Sequence, residues 1–400
     1  MAKRLENDTI DLGSTGASFL KMGAIVGAIG LAIALFGSFT TEMKLERFFL
    51  SYLVNFAFFL SLSIGALFFI LTQHIGRAGW SVVVRRVSEG FAANVGLMLV
   101  LFIGVFLGMG QLYSWTNPEA FANDPILQGK QPYLNTQFFL IRILVYFGVW
   151  ILLTQYFLRG SAKQDSTKDP KKTERMQMVS APGIPLTAIT VTFASFDLLM
   201  SRDPHWFSTI FGVYYFAGSF LGYFSLMAVF FCFLQSKGML KETVTPDHYH
   251  DIGKYMFGFT VFWAYIAFSQ FMLIWYGNIP EETVWYIRRF EGGWLNASYF
   301  LLIGHFIIPF FILLFREIKR IPAALAAVGV WILAMHWFDL YWIVMPESIK
   351  GHVGISWIDI ACFIGMGGLY LAGFAFFMGR KSLIPEGDPR LEESLEFKNA

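Results

Sequence analysis

The chain of 400 residues is 56% hydrophobic and only 14% charged, with a formal net charge of +2. That balance excludes an ordinary soluble domain and fits a multi-pass membrane protein. Cys232 and Cys362, both in apolar runs, leave no basis for a disulfide framework, a cysteine metal site or a Cys-x-x-Cys-His haem attachment. There is no nucleotide-binding glycine motif and no nucleic-acid surface separate from the topology signal.

The N-terminus carries Lys3 and Arg4, but Glu6, Asp8 and Asp11 precede a hydrophobic run longer than a secretory core, so a retained helix is expected rather than a cleaved signal. A bilayer core of about 30 Å needs about 20 apolar residues per helix. Ten segments meet that length: Phe19–Phe39, Phe48–Leu71, Phe91–Met109, Leu134–Phe157, Ile184–Met200, Phe211–Leu234, Tyr255–Trp275, Leu295–Phe315, Ile321–Met345 and Ile355–Met378. With the N-terminus inside, 21 of the 30 Lys and Arg residues fall on inner segments and 7 on outer ones, which places both termini in the cytoplasm. The basic stretch 160–183 reads as a cytoplasmic linker. Trp115, Trp275, Trp285, Trp294 and Trp342, near outer helix ends, read as interfacial anchors.

The chain also repeats itself. Tyr133-Leu-Asn135 opens the fourth segment as Trp294-Leu-Asn296 opens the eighth, and Ser63-x-x-Ala66 on the second matches Ser225-x-x-Ala228 on the sixth. Gln111 corresponds to Gln270, and Phe196-Asp197-Leu198 to Phe338-Asp339-Leu340. The expected fold is therefore all-α and integral to the membrane, with two parallel four-helix bundles, helices two to five and six to nine, and two flanking helices. The divisions are an N-tail 1–18, a first helix 19–47, a first bundle 48–208, a second bundle 209–346, a tenth helix 347–379 and a cytoplasmic C-tail 380–400.

Ionisable groups inside the apolar runs are the candidate functional residues. His336 and Asp339 are three apart on one helix face. By helical rise, Asp339 lies near the outer edge of the hydrocarbon, His336 about 5 Å deeper and His305 near midplane. Each repeat then pairs an acidic helix end with a basic residue on the preceding helix, Arg142 with Asp197 and His305 with Asp339. One reading makes Arg142–Asp197 a buried ion pair that fixes register. The other makes His305, His336 and Asp339 a chain open to the outer face, able to pass protons or hold a polar headgroup such as a quinone carbonyl. Pro309 cannot donate to the carbonyl of His305, so the helix is weakened beside that histidine. His74 and Glu89 stand at the inner end as a cytoplasmic proton entry or, more plainly, as solvated groups. Asp359 sits too close to the outer interface to assign, His248, His250 and Asp251 fall in an inner loop, and Asp203 and His352 in outer ones. The depths of His305 and His336 differ by about 8 Å, which argues against a shared haem.

Ser195-Phe-Asp197-Leu-Leu-Met-Ser-Arg202-Asp203-Pro204-His205-Trp206-Phe-Ser208-Thr-Ile-Phe-Gly212-Val-Tyr resembles the signature of membrane subunits related to polysulfide reductase and NrfD, nearest to the alternative complex III branch. Length and a short C-tail make it look like the smaller ActF type rather than the larger ActC type, while Leu198 departs from the Trp expected after the aspartate. The resemblance implies a quinol:electron-acceptor oxidoreductase complex. In it, multihaem cytochrome c and iron–sulfur subunits carry electrons to a cytochrome c or terminal oxidase, and the larger sister oxidises quinol or menaquinol. This subunit would carry no redox centre and could offer a proton route. A secondary transporter and a purely structural anchor are the alternatives.

Overall fold

The computed structural model describes residues 8–399, so Lys3, Arg4 and Glu6 of the N-tail lie outside the described residues. Among the described residues, ten helices are long and apolar enough to cross a membrane. They are α1 Gly13–Ser38, α2 Leu45–Ile75, α3 Gly79–Leu107, α4 Thr136–Thr167, α5 Pro170–Leu198, α6 Phe211–Ser236, α7 Pro246–Gly277, α8 Gly293–Leu314, α9 Pro322–Val344 and α10 Trp357–Met378. Each expected apolar segment lies on one of them.

Burial ranks the helices. The apolar window of α2 is 94% buried and that of α6 78%, against 17% for α1, so α2 and α6 form the centre and α1 the rim. The two central helices pack on each other; α2 also packs on α3 and α5, and α6 on α7 and α9. Neighbours thus correspond between the halves, as the sequence repeat requires. At the rim, α1 and α10 meet through glycines: a Cβ on Gly365 would lie 2.7 Å from the Leu31 nitrogen, and one on Gly30 2.7 Å from the Gly365 Cα. Backbones approach this closely only where side chains are absent. Gly365→Val is expected to cost about 1–3 kcal/mol, read as a lower unfolding midpoint in detergent and earlier proteolysis of α1.

Several expected loops are helical. Residues 160–183 are no linker: α4 runs to Thr167 and α5 starts at Pro170, separated by a turn in which Lys168 takes φ 47°. Lys, Glu, Gln and Met are strong helix formers. Asp169 accepts from the Lys171 amide at 3.0 Å, and Pro170 fills the first helical position. His248, His250 and Asp251 likewise belong to the first turns of α7. There Thr245 N donates to His248 Nδ1 at 3.0 Å as half of a capping box, which leaves His248 Nε2 to donate to the Ser394 carbonyl at 3.1 Å.

On the face where α2, α4 and α6 end, the described ends of the chain converge. Leu240 N donates to Thr9 O at 3.2 Å and Leu383 N to Ile10 O at 2.6 Å. Arg85 pairs with Asp388, and Asn399 Nδ2 reaches Asp251 Oδ1 at 2.6 Å. We call this the basic face. The opposite face is roofed by short helices, including Pro280–Phe290. That roof explains why Trp115, Trp285, Trp294 and Trp342 are no more than 7% exposed, whereas Trp275 is 66% exposed; four of the five expected anchors are core residues.

Candidate functional site

Arg142 and Asp197 pair as expected, closing α4 onto α5. Arg142 Nε and Nη2 donate to the two carboxylate oxygens at 2.9 and 2.7 Å, a bidentate fork. Tyr146, one turn along α4, donates to Asp197 Oδ2 at 2.8 Å, while Arg142 Nη1 donates to Tyr133 O at 2.8 Å. The guanidinium lies 3.8 Å from the Tyr133 ring centre. Both carboxylate oxygens and all three guanidinium nitrogens are engaged, so the cluster is a buried clasp.

The second bundle is built differently. Asp339 forms no ion pair with His305: Tyr214 on α6 donates to Oδ1, and Trp263 Nε1 on α7 donates to Oδ2 at 3.2 Å. Both carboxylate oxygens are thus served by neutral donors, and no ion pair to Asp339 occurs among the described residues. His305 instead lies against Trp263, ring centres 4.1 Å apart, and 6.4 Å from His336. It is fully buried with neither ring nitrogen hydrogen-bonded. The backbone around it is a π-helix, Leu302–Ile307, followed by Pro309 in the next turn. Such widened turns recur at functional sites, and the Gly304 carbonyl takes its bond from Trp331 Nε1 at 2.7 Å.

His336 reaches across to α2. Ser61 Oγ donates to Phe58 O at 2.6 Å and lies 2.8 Å from His336 Nε2. With the hydroxyl proton committed, Ser61 accepts from Nε2–H, so Nδ1 carries the bare lone pair. That nitrogen has no partner. Gly218 and Gly222 of α6 make the space, since a Cβ on either would come within 2.9 Å of the imidazole. Asp339, His305 and His336 therefore lie together in the core, each at most 2% exposed, not open to the outer face.

Beside this cluster is a cavity of about 630 Å³ bordered by Tyr214, Trp263, Gln270, Tyr286 and Ser298 among apolar residues. Phe268 and Tyr299 on its rim are 60% and 57% exposed, so it opens sideways toward the bilayer. Gln270 Nε2 donates to Tyr286 Oη at 3.2 Å, while its repeat counterpart Gln111 is exposed. Above it Arg289, fully buried, lies 3.4 Å from the Trp285 ring centre and donates to Trp342 O at 3.2 Å and Ile343 O at 2.7 Å. Burial pulls its guanidinium down to about 10, against the Glu347 carboxylate that favours its charge.

On the basic face His74 and Glu89 are buried, not solvated. Glu89 lies 3.1 Å from Arg86 Nε, and Arg86 also donates to both oxygens of Asp165 at 2.8 and 3.0 Å. The helical extension of α4 carries Asp165 and covers the pair. His74 packs on Phe157, ring centres 5.1 Å apart. At the opposite face Asp359 is buried, paired with Arg47 and accepting the Ser356 amide at 2.7 Å. Asp203 is likewise buried, accepting from Arg288 at 2.7 Å, whereas His352 is exposed.

Tyr214, Trp263, Ser61 and Arg289 are the site residues that sequence reasoning missed. Tyr214 stands 162 positions after Tyr52, the spacing of the Ser63–Ser225 match, and could have been found that way. Trp263 and Ser61 give no signal, because such residues inside an apolar helix are ordinary. No protein-family model matches the chain, and no curated protein matches it.

Proposed function

We propose that the chain is a membrane subunit of a quinol-oxidising electron-transfer complex of the alternative complex III kind, moving protons rather than electrons. The observation that carries the proton role is the buried row Asp339, His305 and His336, in which three imidazole nitrogens lack partners beside a π-helix. Groups that exchange protons are costly in an apolar bundle, and such residues mark relays in membrane proteins. The Arg142–Asp197 clasp, a paired cation and carboxylate, holds the corresponding level of the first bundle in register. His74 and Glu89 are the entry from the basic face, which is cytoplasmic, in a bacterial inner membrane. The resemblance of the Ser195–Tyr214 stretch supports the wider assignment. Haem and iron–sulfur centres then reside on partner subunits, and quinol oxidation on the larger sister. A quinone ring entering this chain meets Tyr214 and Gln270 in the lateral cavity.

Asp339→Asn in the intact complex, reconstituted in liposomes, tests the reading. Asparagine can still accept from Trp263 through its one oxygen and donate its amide to the Tyr214 hydroxyl, but it cannot carry the charge or the proton. Quinol-driven proton movement is expected to fall severalfold while electron transfer persists. An assembled complex with both rates unchanged makes the residue scaffold and overturns the relay.

A further inference from the structure

A second cavity, of about 590 Å³, lies on the basic face between the end of α2, the first half of α5 and the segment after α10. Three of its lining residues, Gln73, His74 and Arg85, are each 3% exposed, and each keeps a polar atom with no partner: Gln73 Oε1, His74 Nε2 and Arg85 Nε. Buried polar atoms are rarely left in this state, and here three gather in one wall. Arg77 and Arg390 also border the cavity, joined by a bond from the Arg390 guanidinium to the Arg77 carbonyl. Arg77 takes φ 49°, a left-handed position at which glycine costs less. A long cationic side chain is kept there despite the strain, which favours a role for its charge.

The other side of the cavity is suited to lipid. Ile75 and Met178 on its border are 41% and 64% exposed and apolar. Pro182 and Pro185 sit inside α5 without amide hydrogens, so the carbonyls of Met178 and Ala181 receive no bond from four residues ahead. Both of those residues line the cavity. One site thus offers cations, carbonyls without their usual helical donor and an apolar border, at the basic-face ends of spanning helices.

We infer that this cavity binds the headgroup of an anionic glycerophospholipid. The phosphodiester lies toward Arg77 and Arg390, the headgroup hydroxyls donate to the Met178 and Ala181 carbonyls, and the acyl chains leave past Ile75 and Met178. Glu174, exposed on the border, opposes the charge of the ligand.

The test uses the full chain, delipidated in detergent, titrated with phosphatidylglycerol and read by native mass spectrometry. One phosphatidylglycerol per chain is expected to survive delipidation. The double variant Arg77→Gly with Arg390→Gln should bind it about twenty-five-fold more weakly, each basic side chain contributing about fivefold. Arg77→Gly relieves the strained backbone, and an unfolding midpoint that does not fall confirms the fold. Glu174→Gln should bind about fivefold more tightly, a gain that misfolding does not produce. Equal binding by all three proteins overturns the inference, as does equal affinity for phosphatidylcholine. Displacement by millimolar inorganic phosphate would make this a free-anion site and overturns it too.

Discussion

Replacing Asp197 with alanine is expected to destabilise the protein by about 3–5 kcal/mol, because it strands a buried guanidinium. Arg142 is only 7% exposed, and two of its donors and the Tyr146 hydroxyl converge on this carboxylate. Removing the acceptor leaves these groups to find water inside α4 and α5, where little is accessible. The measurement is an unfolding curve in mixed micelles. A double change, Arg142→Met with Asp197→Leu, should recover most of the loss, since replacing both partners of a buried pair is often neutral. If the double variant is as unstable as Asp197→Ala, the clasp acts through geometry that apolar packing cannot supply.

A loss of similar size, about 3–5 kcal/mol, is expected for Arg289→Ala. Arg289 serves the last turn of α9. The carbonyl of Trp342 would normally bond to the amide four residues ahead, but that residue is Pro346, which has none. Arg289 Nε supplies the missing donor and Nη2 serves Ile343 beside it, so a cation closes the negative end of the helix. Lysine should recover only part of the loss, because a point charge cannot hold two carbonyls and stack on Trp285 together. Asp339 lies less than one turn before Trp342, so fraying should reach it; tryptophan fluorescence from Trp263 and Trp342 reads the two effects.

The ten spans, the repeat and the Arg142–Asp197 clasp were legible because each depends on local apolarity or on a repeated spacing. The weak point of α8 was legible from Pro309, although its form, a π-helix over Leu302–Ile307, was not. The partner of Asp339 could not be read, since Tyr214 and Trp263 come from helices that only tertiary packing brings near. The burial of Glu89 and His74, for which solvation was one of two readings, could not be seen in the basic stretch 160–183, which looked like a linker. As helix it shields them, and no local pattern announces that a charged helix will fold back over its neighbours.

The segment after α10 has a consequence for biogenesis. Its residues reach α3 through Arg85 and Asp388, the α4 extension through Gly387 and Asp165, and α7 through Asn399 and Asp251. All of these contacts wait on residues that leave the ribosome after every spanning helix has been made. The helices can enter the membrane in order, but the basic face closes only afterwards, so the two halves stay separable during synthesis. The bundle stays open on this face until residues 383–399 emerge, and substitutions that break their contacts would prolong that interval.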